Sequence, residues 1–214
     1  MINYLIYHDL GFDVPHKRLI TKHKKHFYHQ SAFYHLAQCL SLSVFCDTPS
    51  DNAPKIWVVL SCHDNSKHLH LSYFIEKTDW LKLDDVADNV TRQDYLWENN
   101  CLECFMSKDN VRQYYELNVA LSGNFNIYQF QNYRTPNTLP PMQAAGSVSI
   151  SQEYDDRMII RHISVCVEIP ISDIKHINPC VILYRDNTAY FYAVQHATPP
   201  DFHDKAYWQT LNLA

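Results

Sequence analysis

Glu103 and Glu116 each sit in the middle of a short run of apolar and aromatic residues, LECFM and YYELN. A carboxylate in such a run is costly to bury unless it is paired or hydrogen-bonded. Two readings follow. In one, the acids form a polar cluster that stitches a sheet together, with Arg134, Arg161 and nearby tyrosine hydroxyls as partners. In the other, they belong to a concave, ligand-facing surface of acids, amides and rings. Trp97, Glu98, Asn118, Tyr128, Tyr133 and Arg134 stand close by in sequence. These residue types suit a sugar: ring faces cover its apolar side, while carboxylate, amide and guanidinium groups take its hydroxyls. A second group, His196, Asp201 and His203, with Glu98 or Glu103, could supply general acid and base groups or hold a divalent metal. The same Asp-His pair could simply tie a C-terminal tail to the fold. No catalytic residue and no metal ligand is assigned, and the sequence specifies no cofactor.

Strand alternation positions the acids. Residues two apart in a strand share a face. Cys101, Glu103 and Phe105 therefore point one way and Leu102, Cys104 and Met106 the other. Glu116 and Asn118 share a face, opposite Tyr115, Leu117 and Val119. The linker SKDNVRQ is hairpin-sized, so the two strands are expected to be antiparallel neighbours. Asn126, Tyr128 and Phe130 share a face on the next strand. Alternation also parts the thiols of Cys101-x-x-Cys104, and no second CxxC exists, so neither zinc nor redox chemistry is expected.

Composition bounds the class. The chain has 214 residues, 46% hydrophobic and 14% aromatic, with only 3 Gly. That is a globular balance tilted toward β structure. A formal charge of −5 gives no nucleic-acid footprint, and the basic cluster at 16–25 reads as a solvated edge. No apolar run is long enough for a membrane helix, and the N-terminus lacks secretory-signal features. Seven cysteines without framework spacing suit free thiols and a cytoplasmic location. His23, His26, His29 and His35 lack accompanying Cys or carboxylate spacing and read as a polar loop.

Short strands with turn signals recur along the chain: Tyr4 to Tyr7, Ile56 to Leu60, Leu69 to Ile75, then Ser147–Ser151, Met158–Val167, Val181–Tyr184 and Ala189–Val194. Ala32 to Phe45 fits helix or strand equally. Residues 46–54 read as a loop, 79–90 as a loop or helical turn, and TPNTLPPMQAAG as an irregular crossing loop. Pro170 and Pro179 punctuate, and Asp186-Asn187 has hairpin-turn chemistry. This pattern predicts a single all-β domain, an antiparallel β-sandwich or barrel with few helical segments.

Leu96-Trp97-Glu98, Cys101-x-Glu103-x-Phe105, Tyr114-Tyr115-Glu116-x-Asn118 and Asn126-x-Tyr128-x-Phe130-x-x-Tyr133-Arg134 together resemble the DOMON-like superfamily, in the bacterial branch related to type 9 carbohydrate-binding modules. Tyr192-Ala193-Val194-Gln195-His196, Pro200-Asp201-Phe202-His203 and Leu211-Asn212-Leu213 are similar to that branch's C-terminal signature. The blocks cover about a third of the chain. Leu117 stands where Phe is usual, the turn at Leu121 to Asn124 lacks the usual Pro, and residues 1–50 match poorly. The resemblance implies one domain over residues 1–214, a jelly-roll or immunoglobulin-like sandwich of about ten strands, and a sugar or haem ligand. A non-catalytic module for carbohydrate or cell-wall sugar is thus the leading expectation. Alternatives are haem binding through Met106, Met142 or Met158 with His162, His196 or His203, a metal-dependent enzyme, or an interaction domain that dimerises through exposed sheet edges.

Overall fold

The computed structural model describes residues 34–45, 52–63, 67–79, 81, 85–154 and 156–212. The expected strand at 4–7, the basic cluster at 16–25, His23, His26 and His29, and Leu213 lie outside them. Among the described residues there are eleven strands and three single 3₁₀ turns, at Leu96–Glu98, Ile171–Asp173 and Lys205–Tyr207. No helix there is long and apolar enough to cross a membrane.

The strands are β1 (Tyr34–Val44), β2 (Ile56–His63), β3 (Leu69–Glu76), β4 (Cys101–Lys108), β5 (Tyr114–Ala120) and β6 (Phe125–Phe130), then β7 (Gly146–Tyr154), β8 (Met158–Val167), β9 (Ile174–Arg185), β10 (Thr188–Ala193) and β11 (Gln209–Thr210). The segment that fits helix or strand equally is strand β1. Its Leu40 and Leu42 pair across β2 with Val58 and Ile56, where β-branched side chains pack well on a pleated surface. The turn between β9 and β10 holds Asp186 and Asn187 at φ 49° and 65°, the two positive values that a twisted two-residue hairpin requires.

All strand pairs are antiparallel along one path, β6-β5-β4-β9-β10-β1-β2-β3-β8-β7, with β11 added to β9. A short ladder, Ser43↔Ala193 and Val44↔Tyr192, joins its two halves. The ends nearly meet. Ahead of β7, Gln143 bridges to Tyr128 of β6, and the Ala144 N–H donates to the Ile127 carbonyl at 2.8 Å. The Arg92 guanidinium holds the Ala144 and Gly146 carbonyls at 3.0 and 3.1 Å.

One side of this path buries a continuous core. β3 contributes Leu69, Leu71, Tyr73 and Ile75; β4 and β5 contribute Leu102, Cys104, Met106, Leu117 and Val119. Each fully buried aliphatic side chain is worth about 1.5–3 kcal/mol. β4 and β5 are buried on both faces, because a second cluster built on Phe105, Tyr114, Tyr128 and Phe130 covers their far side. That far side carries the candidate site.

Two expectations are corrected. Pro179 does not end a strand; it lies inside β9, opposite Cys104 of β4. It is tolerated because one side of β9 pairs at residues 176–177 with β11 and at 181–185 with β10, skipping 178–180 between them. Arg161 is not a partner of the glutamates. It lies in β8 opposite Tyr73, 1% exposed, with Nε donating to the Leu121 carbonyl at 3.4 Å.

Candidate functional site

The alternation expected from sequence is the geometry observed. In the β4–β5 ladder Glu103 faces Asn118 and Phe105 faces Glu116, so the two glutamates are diagonal neighbours on one surface. The side chains that alternate with these along the two strands, Leu102, Cys104, Met106, Leu117 and Val119, go to the core. β6 adds Asn126, Tyr128 and Phe130 to the same face, and β9 adds Cys180 and Ile182.

A cavity of about 350 Å³ opens over this face. Glu103, Phe105, Glu116, Phe130, Ile182 and Phe191 line its floor. Trp97, on its 3₁₀ turn, closes one side, its ring edge-on to Tyr128 at 5.7 Å. Arg134 and the segment 136–141 form another wall, and residues 200–203 a third. The last wall is fastened from below. The Phe202 carbonyl accepts from Trp208 Nε1 at 2.8 Å and from Asn178 Nδ2 at 3.2 Å.

Six residues singled out in the sequence line the cavity together: Trp97, Glu103, Glu116, Arg134, Asp201 and His203. Tyr133 stands at the rim, 53% exposed, and its hydroxyl donates to Asp201 Oδ2. Asn118 and Tyr128 lie beneath the surface, both fully buried. Asn118 Nδ2 donates to Glu116 Oε1 at 2.8 Å, and the Tyr128 hydroxyl donates to Asp94 at 2.8 Å. Glu98 is exposed and outside the cavity. His196 is also outside it, its Nε2 2.7 Å from the Ser43 carbonyl. Sequence reasoning missed Phe105, Phe130, Phe191, Phe202 and the 136–141 wall as site residues. Phe105 and Phe130 were findable, since each shares its strand face with a residue that was singled out.

A hydrogen-bonded network ties the walls to the floor. Asp201 Oδ1 accepts from Arg134 Nη2 at 2.9 Å and from the His203 N–H at 3.0 Å. The Tyr114 oxygen accepts the Arg134 N–H at 3.1 Å and lies 2.7 Å from His203 Nδ1. On its other side the ring turns Nε2 toward Glu116 Oε2 at 3.7 Å.

Burial dominates the electrostatics. It pushes the Glu116 carboxyl to about 7, against the Asn118 hydrogen bond and the Arg134 charge. Burial and then the charge of Glu116 push Glu103 well above the carboxylate range. Burial, helped by Arg134, lowers His203 to about 3. Burial would raise Asp201, but the hydrogen bonds from Tyr133, Arg134 and the His203 backbone outweigh it and hold the carboxyl low. At neutral pH burial thus favours the protonated carboxyl at both glutamates of the floor, facing an imidazole that it keeps uncharged. Glu103 Oε1 is buried with no hydrogen-bond partner. Such a group costs roughly 1–3 kcal/mol until something donates to it.

Among the described residues, no group of three or more His, Cys, Asp and Glu could hold a metal ion. Of the methionines considered as haem ligands, Met106 packs in the core on the face opposite the cavity. Six of the seven cysteines are described, and among them Cys101, Cys104, Cys166 and Cys180 carry free thiols.

No protein-family model matches the chain, and no curated protein matches it. Among solved structures it is similar to "a putative carbohydrate-binding protein from Bacteroides uniformis", at 15% identity and a TM-score of 0.54 over 92% of this chain and 91% of that one. A likeness at this identity is a likeness of fold: both chains build the same all-β architecture over nearly their whole lengths.

Proposed function

We propose that this chain is a non-catalytic carbohydrate-binding module and that the cavity over β4, β5 and β9 is its sugar site. The observation that carries the reading is the cavity's make-up. Trp97, Phe105 and Phe130 supply aromatic lining, while Glu103, Glu116 and Arg134 offer polar groups around a volume that suits one or two sugar rings. Ligand sites are mostly apolar concavities with a few placed polar groups, and the carboxyl groups of the lining residues Glu103 and Glu116 are of the type that takes sugar hydroxyls. The similar fold of a protein described as carbohydrate-binding supports this reading, as does the resemblance of the Leu96–Arg134 motifs to type 9 modules. In this reading the two halves of the sheet path stack as a sandwich of the jelly-roll kind, in one domain.

Isothermal titration with a panel of neutral mono- and disaccharides tests it. Binding in the millimolar range or tighter is expected, with loss in Trp97→Ala at unchanged thermal stability. A panel with no binder, or binding untouched by Trp97→Ala, would sink the reading.

A further inference from the structure

The cavity has a charge balance that a neutral sugar does not use. Its lining carries three carboxyl groups, Glu103, Glu116 and Asp201, against one guanidinium, Arg134. Arg134 is already committed to Asp201 at 2.9 Å. His203 adds no positive charge there, because burial disfavours the imidazolium. The two glutamates on the floor are therefore left without a cation bonded to them; Glu103 is 3% exposed, and its Oε1 has no hydrogen-bond partner. Beside them stands the ring of Trp97, a ring type whose face attracts cations.

We propose that the site takes an amine-bearing ligand, an amino sugar with a free ammonium group, whose nitrogen sits between Glu103 and Glu116 under the aromatic walls. This rests on the reading of the cavity as a saccharide site. An ammonium brings three hydrogen-bond donors and no acceptor, matching the carboxyl oxygens of Glu103 and Glu116 on the floor. Its charge favours ionised carboxylates, so Glu103 gives up its proton to solvent when the ligand binds. The other groups facing the pair leave this sign unchanged. The Cys101 and Cys180 thiols are held neutral by burial, as are the Tyr114 and Tyr128 hydroxyls. Arg134 and Asp201 neutralise each other at the rim.

The test is titration of the full chain with glucosamine, glucose, N-acetylglucosamine and cyclohexylamine at pH 7, repeated in buffers of different ionisation enthalpy. Glucosamine should bind about tenfold tighter than glucose or N-acetylglucosamine, as a charge-assisted hydrogen bond allows. It should release protons, and its margin should vanish in Glu103→Gln and in Glu116→Gln. Glucose bound as tightly as glucosamine would overturn the amine inference and leave the saccharide site standing. Cyclohexylamine bound without any sugar would support the ammonium site and overturn the saccharide reading. Binding of none of the four would overturn both.

Discussion

Tyr114 and His203 are joined by a 2.7 Å hydrogen bond through the imidazole Nδ1. The tyrosine oxygen also accepts the Arg134 N–H. One phenol thus ties the loop at Arg134 to a cavity-lining histidine, and a hydroxyl that donates to Nδ1 would leave the ring's hydrogen on the side of Glu116. Its ring is itself held by stacking on Phe130, at 4.8 Å and 10°.

Tyr114→Phe should therefore act on two things at once. It leaves His203 Nδ1 without a donor in a buried place, at a cost of about 1–3 kcal/mol in stability. It also frees the imidazole to exchange tautomers, which nitrogen-detected NMR reads directly from the two ring-nitrogen shifts. A variant as stable as the wild type, with His203 still locked in the Nε2–H form, would show that the hydroxyl does not set the tautomer.

The titration of the site carries opposing signs. On folding, Glu116 moves from 4.5 to about 7 and Glu103 moves upward as well. The folded chain then holds protons that the unfolded chain loses above pH 4.5. The stability these groups contribute is full below that pH and is lost as pH rises toward 7. His203 moves from 6.5 to about 3, and its contribution runs the other way, complete above 6.5 and lost as pH falls toward 3. The two effects offset between pH 4.5 and 6.5, and above 6.5 only the carboxyl loss remains. The stability of Glu116→Gln relative to wild type should thus rise from pH 5 to 8, at up to about 1.4 kcal/mol per pH unit. Urea unfolding at several pH values measures it, and a pH-independent difference would contradict the raised carboxyl.

Gly146 starts β7 at φ 147°, a backbone conformation that side-chain-bearing residues rarely adopt. A Cβ there would run into the Cys166 carbonyl and come within 2.8 Å of the Ile127 side chain. The strand must pass this close because Arg92 grips the Ala144 and Gly146 carbonyls, which draws β7 against β6 and nearly closes the sheet path. Gly146→Ala is expected to cost on the order of 1–3 kcal/mol, read as a lower urea midpoint. A substitution within about 0.5 kcal/mol of wild type, the range of an ordinary surface change, would mean that β7 can shift without loss.

The parts of the site legible in the sequence are those with period two. Glu103, Phe105, Glu116 and Asn118 fall on one face by counting alone, because the core takes every other side chain of β4 and β5. Pro179 in β9 was illegible because whether a proline is tolerated depends on which neighbour is missing on one side, and β10 and β11 are set by distant pairing. Arg161 was misplaced for a related reason. Its own strand alternates cleanly, but no local pattern says that β8 packs beside β3 and away from β4. The cavity walls at 136–141 and 200–203 are irregular backbone, fixed by single hydrogen bonds such as Trp208 Nε1 to the Phe202 carbonyl. Tyr128 and Asn118 have the composition of ligand contacts, yet their polar groups are spent on Asp94 and Glu116 beneath the surface.

Asp201 is the point where two chain segments meet through three hydrogen bonds. It accepts from the Tyr133 hydroxyl, the Arg134 guanidinium and the His203 backbone, joining the 131–141 wall to the C-terminal wall. The Arg134 side chain is half exposed and that of Asp201 one-fifth, so solvent screens the pair and its share of stability should be small, below about 1 kcal/mol. Its effect on the cavity should be larger, because both walls lose their common anchor and ordering them falls on the ligand. Asp201→Ala should therefore unfold near the wild-type midpoint, be cut faster by protease within 131–141, and bind its saccharide about tenfold more weakly. Asp201→Asn keeps an oxygen for the His203 N–H and should recover part of that loss. If Asp201→Ala resisted protease and bound sugar as the wild type does, the walls would be held by their own packing and the three-way contact would be incidental.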